Sequence, residues 1–242
     1  MKRLQSPTSI NTFLNCPRKY YLKYIKGLKE KPNIHLIRGL AVHSAIAKFR
    51  RQNPADPTGF KTHVKDIVDL FNWYWACQEK EILSLDLKDE TLRGFYNESV
   101  EMLSGWYKRY MLYPPKGEKK IETEVKLFSD KHGVMGIIDA IHREEGRTTL
   151  IDYKTSKKDE ITRDIEVQLA IYTLLYKENY GVLPDMLTID FLKLNKSLSF
   201  HADEEYIDYA ANLCREIHER TASRDERDYP CLCGGRCESE FL

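Results

Sequence analysis

Residues 133–155 read GVMGIIDAIHREEGRTTLIDYKT, and this stretch decides the fold that the sequence predicts. It contains two apolar runs, VMGIIDAIH and TTLIDY, which are joined by the polar segment REEGR. Valine, isoleucine and threonine dominate both runs, and these residues are typical of buried strands. We therefore expect two neighbouring strands, connected by a tight turn, around which the other elements are arranged.

Each run carries one aspartate among residues that suit a protein core, Asp139 in the first and Asp152 in the second. A lone buried carboxylate costs several kcal/mol unless it is paired or bound to a cation. Because side chains alternate across a strand, Asp152 and Lys154 point to the same face while Tyr153 points away. The two aspartates therefore predict a divalent-metal site. The alternative is an edge strand on which aspartate and lysine form a solvated ion pair.

The remaining segments predict an α/β fold in which a central mixed β-sheet is flanked by helices, with a helical subdomain at about 52–112 and a core at about 118–200. Alternation with a period of two predicts a strand over residues 119–129, with Glu122 and Glu124 on one face, and a further strand is expected over 186–194. Apolar residues at helical spacing predict helices that begin at Pro7 and Pro17, and others over about 40–47, 60–81, 92–110, 161–180 and 204–223.

Positive and negative charges are nearly balanced over the whole chain, with 38 basic and 37 acidic residues, but their distribution is uneven. Residues 1–31 contain one acid, Glu30, among many lysines and arginines, whereas acids dominate residues 201–242. A basic segment with interleaved tyrosines fits a surface that follows a phosphate backbone and stacks on bases. The candidate DNA contacts in this segment are Arg18, Lys19, Tyr20 and Lys23. The alternative is a solvated helix whose tyrosines pack inward.

The sequence contains neither an apolar run of the ~18 residues that a membrane span requires nor a recognisable signal peptide. A cytoplasmic protein without contact to a membrane is therefore expected. Disulfides are rare in that compartment, so the six cysteines predict metal binding rather than a disulfide framework.

The chain ends with YPCLCGGRCESEFL, which places Cys231, Cys233 and Cys237 within seven residues. Three thiolates so close together, with two glycines between them, predict a metal site that needs a fourth ligand. Cys214 is the nearby candidate for this ligand and Cys16 the distant one. The spacing leaves zinc and iron–sulfur open, and the alternative is a terminal loop whose cysteines have no common role.

Taken together, these residues resemble the PD-(D/E)XK nuclease superfamily, in particular its RecB-like branch with an iron–sulfur cluster, which includes the CRISPR-associated exonucleases. Five segments carry the resemblance and occur in the family's order. They are SPTSINTFLNCPRKYYLKYIKGL with Cys16, RGLAVH with His43, GIIDAI with Asp139, IDYKT with Asp152 and Lys154, and QLAIY with Gln168 and Tyr172.

The resemblance implies a restriction-endonuclease-like core and a role for each of these side chains. A catalytic Mg²⁺ or Mn²⁺ would be held by His43, Asp139, Asp152 and the backbone carbonyl of Tyr153, with Glu124 as a possible additional group. Asp139, Asp152, Lys154, Gln168 and Tyr172 would be the catalytic residues. A [4Fe–4S] cluster, or alternatively a structural Zn²⁺, would join Cys16 to residues 231–237 in what we call the cysteine clasp, whose ligands are Cys16, Cys231, Cys233 and Cys237. Here the three terminal cysteines are spaced Cys-x-Cys-x3-Cys, whereas the family usually shows Cys-x2-Cys-x5-Cys.

The resemblance also implies an activity, namely metal-dependent hydrolysis of DNA phosphodiester bonds by a single nuclease domain that spans residues 1–242. An exonuclease that favours single-stranded DNA is expected, working in DNA repair and recombination or in CRISPR adaptation, with a helicase or CRISPR-adaptation proteins as partners. One alternative is a non-catalytic scaffold protein that binds nucleic acid with the same fold and cluster. Another is a metal-dependent hydrolase that acts on a different substrate. The sequence lacks the Gly-x4-Gly-Lys-(Ser/Thr) motif of a helicase motor.

Overall fold

A mixed five-stranded sheet lies at the centre of the computed structural model, which describes residues 3–53, 62–112 and 119–241. The strands follow each other across the sheet in sequence order. They are β1 (Lys119–Ser129), β2 (Val134–Glu144), β3 (Arg147–Lys154), β4 (Met186–Phe191) and β5 (Lys196–His201). Strands β3 and β4 run parallel, and the other neighbouring pairs are antiparallel. The predicted central mixed sheet is thereby confirmed.

The predicted strand pair is the hairpin of β2 and β3. Its register runs from Glu144 opposite Arg147 to Ala140 opposite Ile151. The two residues that connect the strands, Glu145 and Gly146, both have positive φ angles, 51° and 77°, which is the conformation of a tight type I′ hairpin turn. Asp139 and Asp152 follow directly after the last ladder pair, so the hairpin brings both aspartates to one end of the sheet.

Helices cover both faces of the sheet, as the sequence predicts for an α/β fold. The helices among the described residues are α1 (Pro7–Asn15), α2 (Pro17–Tyr20), α3 (Ile34–Gln52), α4 (Val64–Ala76), α5 (Glu79–Leu83), α6 (Asp89–Leu112), α7 (Arg163–Tyr180), α8 (Glu204–Arg220) and α9 (Arg236–Ser239). Helices α1, α7 and α8 build the larger core on one face, and α3, α4 and α6 build the second core on the other. Within the described parts of the chain, none of these helices has the length and apolar character needed to cross a membrane.

Several boundaries differ from the sequence prediction. The strand expected over 186–194 ends at Phe191, and a 3₁₀ turn over Leu192–Leu194 leads into β5, which was not predicted. Strand β5 pairs with β4 alone and is largely exposed, so it lacks the apolar run by which a buried strand is recognised. The loop expected after Asn53 and the end of the helical subdomain before residue 119 fall on residues 54–61 and 113–118, outside the described residues. The division into one domain with a helical subdomain stays a prediction.

Strand β1 is distorted at Glu124, whose φ angle is +51°. Thr123 pairs with Ala140 and Val125 with Ile138, but the ladder skips the position at which Glu124 faces Asp139. A residue other than glycine in this conformation is strained and turns the strand over locally. The prediction that Glu122 and Glu124 share one face is therefore wrong. Glu122 pairs with Arg143, whose guanidinium lies over the Tyr180 ring of α7, whereas Glu124 pairs with Arg51 of α3.

Candidate functional site

The carboxylate of Asp152, on β3, is deeply buried, with 3% of the residue exposed. Its Oδ1 accepts a hydrogen bond of 2.8 Å from Nε2 of Gln168. Its Oδ2 lies 2.7 Å from Nζ of Lys154, so the carboxylate and the ammonium group form a direct ion pair. A buried carboxylate is costly unless it is paired or bound to a cation, and here the Lys154 ammonium group is its charged partner.

Gln168, on α7, connects the two strands that carry the aspartates. Its Oε1 accepts a hydrogen bond of 2.6 Å from Nζ of Lys154, and its Nε2 also lies 2.8 Å from Oη of Tyr172, one helical turn further on. Oη of Tyr172 in turn donates a hydrogen bond of 2.7 Å to the carbonyl oxygen of Ile137 on β2. Gln168 and Tyr172 of α7 therefore join β3 to β2 just beside Asp139 and Asp152.

Helix α7 reaches these strands because Gly136, on β2, has no side chain. A Cβ atom at this position would lie 2.9 Å from Cδ1 of Leu175 and 3.1 Å from Cε1 of Tyr172. Distances this short are not tolerated without a shift of one partner. Gly136 thus sets how closely the helix that carries Gln168 and Tyr172 approaches the sheet.

Asp139 meets the opposite face of the sheet, where α3 supplies His43. Nδ1 of His43 lies 3.1 Å from Oδ1 of Asp139, and the Tyr153 backbone N–H donates a hydrogen bond of 2.8 Å to Oδ2. The His43 imidazole also packs edge-on to the Tyr153 ring, with 6.1 Å between the ring centres. The structure therefore brings His43 from a distant part of the sequence to the end of the hairpin, beside the first aspartate.

The ionisation of these groups is strongly perturbed, as is common at functional sites. Burial opposes charge on the His43 imidazole, but the facing carboxylates of Asp139 and Asp152 outweigh it and raise its pKa. Burial likewise opposes charge on Asp139, but His43 and the Tyr153 N–H lower the pKa of this carboxyl below its ordinary value. For Asp152, burial and the nearby charge of Asp139 prevail over Lys154 and raise the pKa. The surroundings thus shift the pKa values of the two carboxyl groups in opposite directions.

Two carboxylates and one imidazole are ligands that suit a divalent cation such as Mg²⁺ or Mn²⁺. The Asp152 oxygen that faces Lys154 fits such a role. Asp139 faces His43, whereas Asp152 faces Lys154. The ligand atoms of His43, Asp139 and Asp152 are not all within 4.8 Å of one another, unlike the sulfur atoms of the four cysteines. Displacement of the Lys154 ammonium group from Asp152 would free that carboxylate for an ion.

Glu124 occupies the strained position opposite Asp139, but its carboxylate is bound elsewhere. Its Oε2 lies 2.5 Å from Nη2 of Arg51, and Arg51 also donates to the side chain and the carbonyl of Thr123. Arg51 is eight residues after His43 on α3, which is about 12 Å along the helix axis. A role for Glu124 at the metal stays a prediction.

Arg38, the first residue of RGLAVH, is a site residue that the sequence reasoning did not assign. It is 2% exposed, and it donates hydrogen bonds of 3.0 Å to the carbonyl oxygen of Thr155 and 2.9 Å to Oε2 of Glu98. Thr155 directly follows Lys154, so Arg38 fixes the chain where it leaves β3. The signal available in the sequence was an arginine on the helix that carries His43, among residues that otherwise suit a core.

The four predicted ligands of the cysteine clasp lie together. Their Sγ atoms are all within 4.8 Å of one another, and they are the one group of three or more such ligand atoms found among the described residues. The N–H groups of Gly235 and Cys233 lower the pKa of Cys231 to about 7. Cys214, the other candidate for the fourth ligand, is buried on α8 outside this group, and burial raises its pKa to about 12.

The basic N-terminal side chains that were candidates for DNA contacts have partners within the chain. Arg18 pairs with Glu226, Lys19 with Glu240, and both Lys19 and Lys23 with Glu30. Tyr20 is fully buried between the rings of Phe13, Tyr24 and Tyr229. A buried ring cannot stack on a base, so the alternative of inward-packing tyrosines describes Tyr20. The uneven charge distribution brings the two ends of the described chain together.

Comparison with known proteins gives relatives among nucleases. The family model described as the PD-(D/E)XK nuclease superfamily matches residues 5–239. The Gene 69 protein of Mycobacterium phage D29 is 26% identical over 197 residues, covering 74% of this chain and 71% of the relative. One subunit of the ATP-dependent helicase/deoxyribonuclease of Carboxydothermus hydrogenoformans is 26% identical over 202 residues, covering 72% of this chain. The matched region is only 18% of that larger protein's length.

Among solved structures, the crystal structure of SSO0001 aligns with 92% of this chain and 93% of its own chain at 14% identity. The TM-score of 0.32 is too low to infer a shared fold. The family match, in contrast, extends over almost the whole chain and includes His43, both aspartates and the Gln168 helix. The chain therefore belongs to the PD-(D/E)XK nuclease superfamily, whose members cleave phosphodiester bonds with divalent metal ions.

Proposed function

We propose that this chain is a metal-dependent deoxyribonuclease that digests single-stranded DNA from an end. The observation that carries the proposal is the buried Asp152 carboxylate, whose Oδ2 lies 2.7 Å from the ammonium group of Lys154 on the same strand. A protein that only binds nucleic acid has no need of this arrangement, whereas hydrolysis of a phosphodiester requires ligands for a cation next to a positively charged donor.

The ion would be held by His43, Asp139, Asp152 and the carbonyl oxygen of Tyr153. In an extended strand the N–H and C=O of one residue point to the same side, and the Tyr153 N–H points at Asp139. The Tyr153 carbonyl is therefore expected on the edge of β3 that faces Asp139. A bound Mg²⁺ or Mn²⁺ would polarise the scissile phosphate and lower the pKa of a water molecule.

Lys154 has the position of the group that orients the attacking water and offsets the charge that develops on the phosphate. Its ammonium contacts Oδ2 of Asp152 and Oε1 of Gln168, and both contacts hold it beside a carboxylate that would bind the ion. Gln168 and Tyr172 keep the lysine and the carboxylate in register with β2. Arg38 is a positioning residue, since it donates a hydrogen bond to the carbonyl oxygen of Thr155, the residue that follows Lys154.

DNA as the substrate, and a helicase as a partner, are supported by the name of the helicase/deoxyribonuclease that this chain resembles over 72% of its length. A role in DNA repair and recombination rests on the resemblance of the sequence motifs. A role in CRISPR adaptation rests on the resemblance of the sequence motifs alone. In either setting, Lys154 and the two aspartates would perform the same hydrolysis.

The activity is tested with DNA labelled at its 5′ or 3′ end, offered as linear single strands, linear duplexes and circular single strands, with Mg²⁺, Mn²⁺ or a chelator. We expect stepwise digestion of the linear single strands, no cleavage of the circles and no activity with the chelator. Cleavage of the circles would contradict the exonuclease assignment.

Lys154→Ala separates catalysis from binding. The variant should lose cleavage of linear single strands in Mn²⁺ but still retain the DNA in a gel-shift assay. The matched control is Lys177→Ala on α7, whose side chain pairs only at the surface with Glu204. Undiminished cleavage by Lys154→Ala would refute the proposed active site. Retention of DNA without cleavage by the unmodified chain, in either metal, would identify a binding protein instead.

A further inference from the structure

The cysteine clasp has the dimensions of a site for one metal ion. Sγ of Cys233 lies 3.6 Å from both Cys16 Sγ and Cys231 Sγ, Cys231 Sγ lies 3.7 Å from Cys237 Sγ, and the other three pairs of sulfur atoms are within 4.8 Å. Four thiolates around one Zn²⁺, each at about 2.3 Å in a tetrahedron, are separated from each other by about 3.8 Å. From this agreement we infer that the cysteine clasp holds a single Zn²⁺ ion, independently of the proposed nuclease activity.

The [4Fe–4S] cluster that the sequence resemblance implies does not fit these distances. In such a cluster each thiolate binds a different iron atom at a corner of a cube, so the sulfur atoms surround the whole cube rather than one ion. The four cysteines would have to move apart to admit it. A disulfide does not fit either, since its sulfur atoms are about 2.05 Å apart and all four cysteines are free.

The backbone between the terminal cysteines is shaped for a small centre. Gly234 and Gly235 have φ angles of +65° and +83°, which side-chain-bearing residues rarely adopt, and they let the chain reverse within three residues. The reversal directs the N–H of Gly235 at Sγ of Cys231 and the N–H of Cys237 at Sγ of Cys233, both at 3.2 Å. N–H donors to sulfur stabilise thiolates, which are the form of cysteine that binds zinc.

The fourth ligand, Cys16, is held in place by the helices on either side of it. Cys16 lies at the joint between α1 and α2, where its N–H donates a hydrogen bond to the carbonyl oxygen of Thr12. The residue is 3% exposed. The backbone N–H of Arg18 also bonds the carbonyl of Pro230, next to Cys231. The spacing Cys-x-Cys-x3-Cys, tighter than the family's, is thus matched by a tight set of sulfur positions around one ion.

The test uses the full chain, purified without oxygen from cells supplied with both zinc and iron. We expect one zinc per chain, no acid-labile sulfide and a colourless protein, and X-ray absorption at the zinc edge should show four sulfur neighbours at about 2.3 Å. Iron and sulfide in stoichiometric amounts, or a chain without metal, would overturn the inference.

Variants assign the ion to the clasp. Cys237→Ala should lose zinc, whereas Cys77→Ser, at an exposed cysteine outside the group, should retain it. Zinc that remains bound to Cys237→Ala at full stoichiometry would overturn the inference. If that variant does not fold, the X-ray absorption spectrum of the unmodified protein decides whether four sulfur atoms surround the zinc. Lys154→Ala should keep its zinc, so failure of the nuclease proposal would be distinguished from failure of this one.

Discussion

Gln168 donates a hydrogen bond from Nε2 to Oδ1 of Asp152 at 2.8 Å, and this contact fixes α7 to β3 at the buried carboxylate. The same side chain accepts a hydrogen bond from Lys154, so one amide holds both members of the Asp-x-Lys motif. An amide is suited to this task because it offers a donor to the carboxylate and an acceptor to the ammonium group. A carboxylate at position 168 would repel Asp152, and an ammonium group would repel Lys154.

Gln168→Ala should lower the rate of DNA cleavage by about 10- to 100-fold, as is typical when a group that orients a metal ligand is removed. The loss should be accompanied by a higher Mn²⁺ concentration for half-maximal activity, because Asp152 is no longer held in place. The matched control is Glu166→Ala, at an exposed position of the same helix. An unchanged metal dependence in Gln168→Ala would contradict this positioning role.

Arg38→Lys should reduce cleavage by up to about 100-fold, since a displacement near 1 Å at the reacting groups has effects of this size. A lysine cannot span both the Thr155 carbonyl and the Glu98 carboxylate, which the two nitrogens of the Arg38 guanidinium reach together. Arg93→Lys, at an exposed position of α6, serves as the control. The measurement is the cleavage rate at saturating DNA, and equal rates for both variants would exclude the role of Arg38.

The strand pair and the common helix face of Gln168 and Tyr172 could be predicted because each leaves a local pattern. The apolar runs around Asp139 and Asp152 identify strands, and the four-residue spacing of Gln168 and Tyr172 places both on one helix face. The placement of His43 needed the family's motif, since a histidine on an apolar helix face has no distinctive spacing. The two aspartates, Gln168 and Tyr172 are thus the part of the site that local sequence encodes.

The features that could not be predicted depend on contacts between distant segments. The strain at Glu124 arises where β1 passes Asp139, and no pattern in the alternating sequence of β1 marks it. The burial of Tyr20 requires Tyr229, more than 200 residues away, and the basic character of its neighbours suggested an exposed surface. Charge and periodicity predict the structure of one segment, whereas the distant segment that packs against it is known only from the fold.

The ion pairs between the chain's two ends predict a dependence of stability on pH. Burial opposes charge on Glu30, but the ammonium groups of Lys23 and Lys19 hold its pKa below the ordinary value of 4.5. A lowered pKa in the folded state stabilises the protein above pH 4.5, and this contribution is lost as the pH falls through the lowered value. Glu30→Gln should therefore be less stable than the unmodified chain at pH 7, by at most about 1 kcal/mol for a partly exposed pair.

The difference between the two proteins should shrink as the pH falls below 4.5 and as salt is added, and urea unfolding at several pH values measures it. Glu101→Gln, on an exposed position of α6, should show no such pH dependence. A difference between Glu30→Gln and the unmodified chain that stays constant down to acid pH would mean that the charge of Glu30 is not its cause.

Gly136→Ala tests whether the close approach of α7 to β2 is needed for both stability and activity. In a strand interior, alanine is ordinarily at least as favourable as glycine, but here the added methyl group would lie 2.9 Å from Leu175 and 3.1 Å from Tyr172. We expect a loss of about 1–3 kcal/mol in the free energy of unfolding, the usual cost of overpacking. Because Tyr172 and Gln168 lie on the helix that must move, cleavage should fall even at temperatures where the variant is folded.

Gly94→Ala is the matched control for this substitution, since a Cβ atom at Gly94 in α6 meets nothing within 4 Å. It should raise the free energy of unfolding by about 0.5–1 kcal/mol through helix propensity and leave cleavage unchanged. Urea unfolding with an unchanged m-value and the cleavage rate are measured on both variants. If Gly136→Ala were as stable and as active as the unmodified chain, the missing side chain of Gly136 would not determine how closely α7 approaches β2. The contact between Tyr172 and the strand of Asp139 would then have to rest on the hydrogen bond to Ile137 alone.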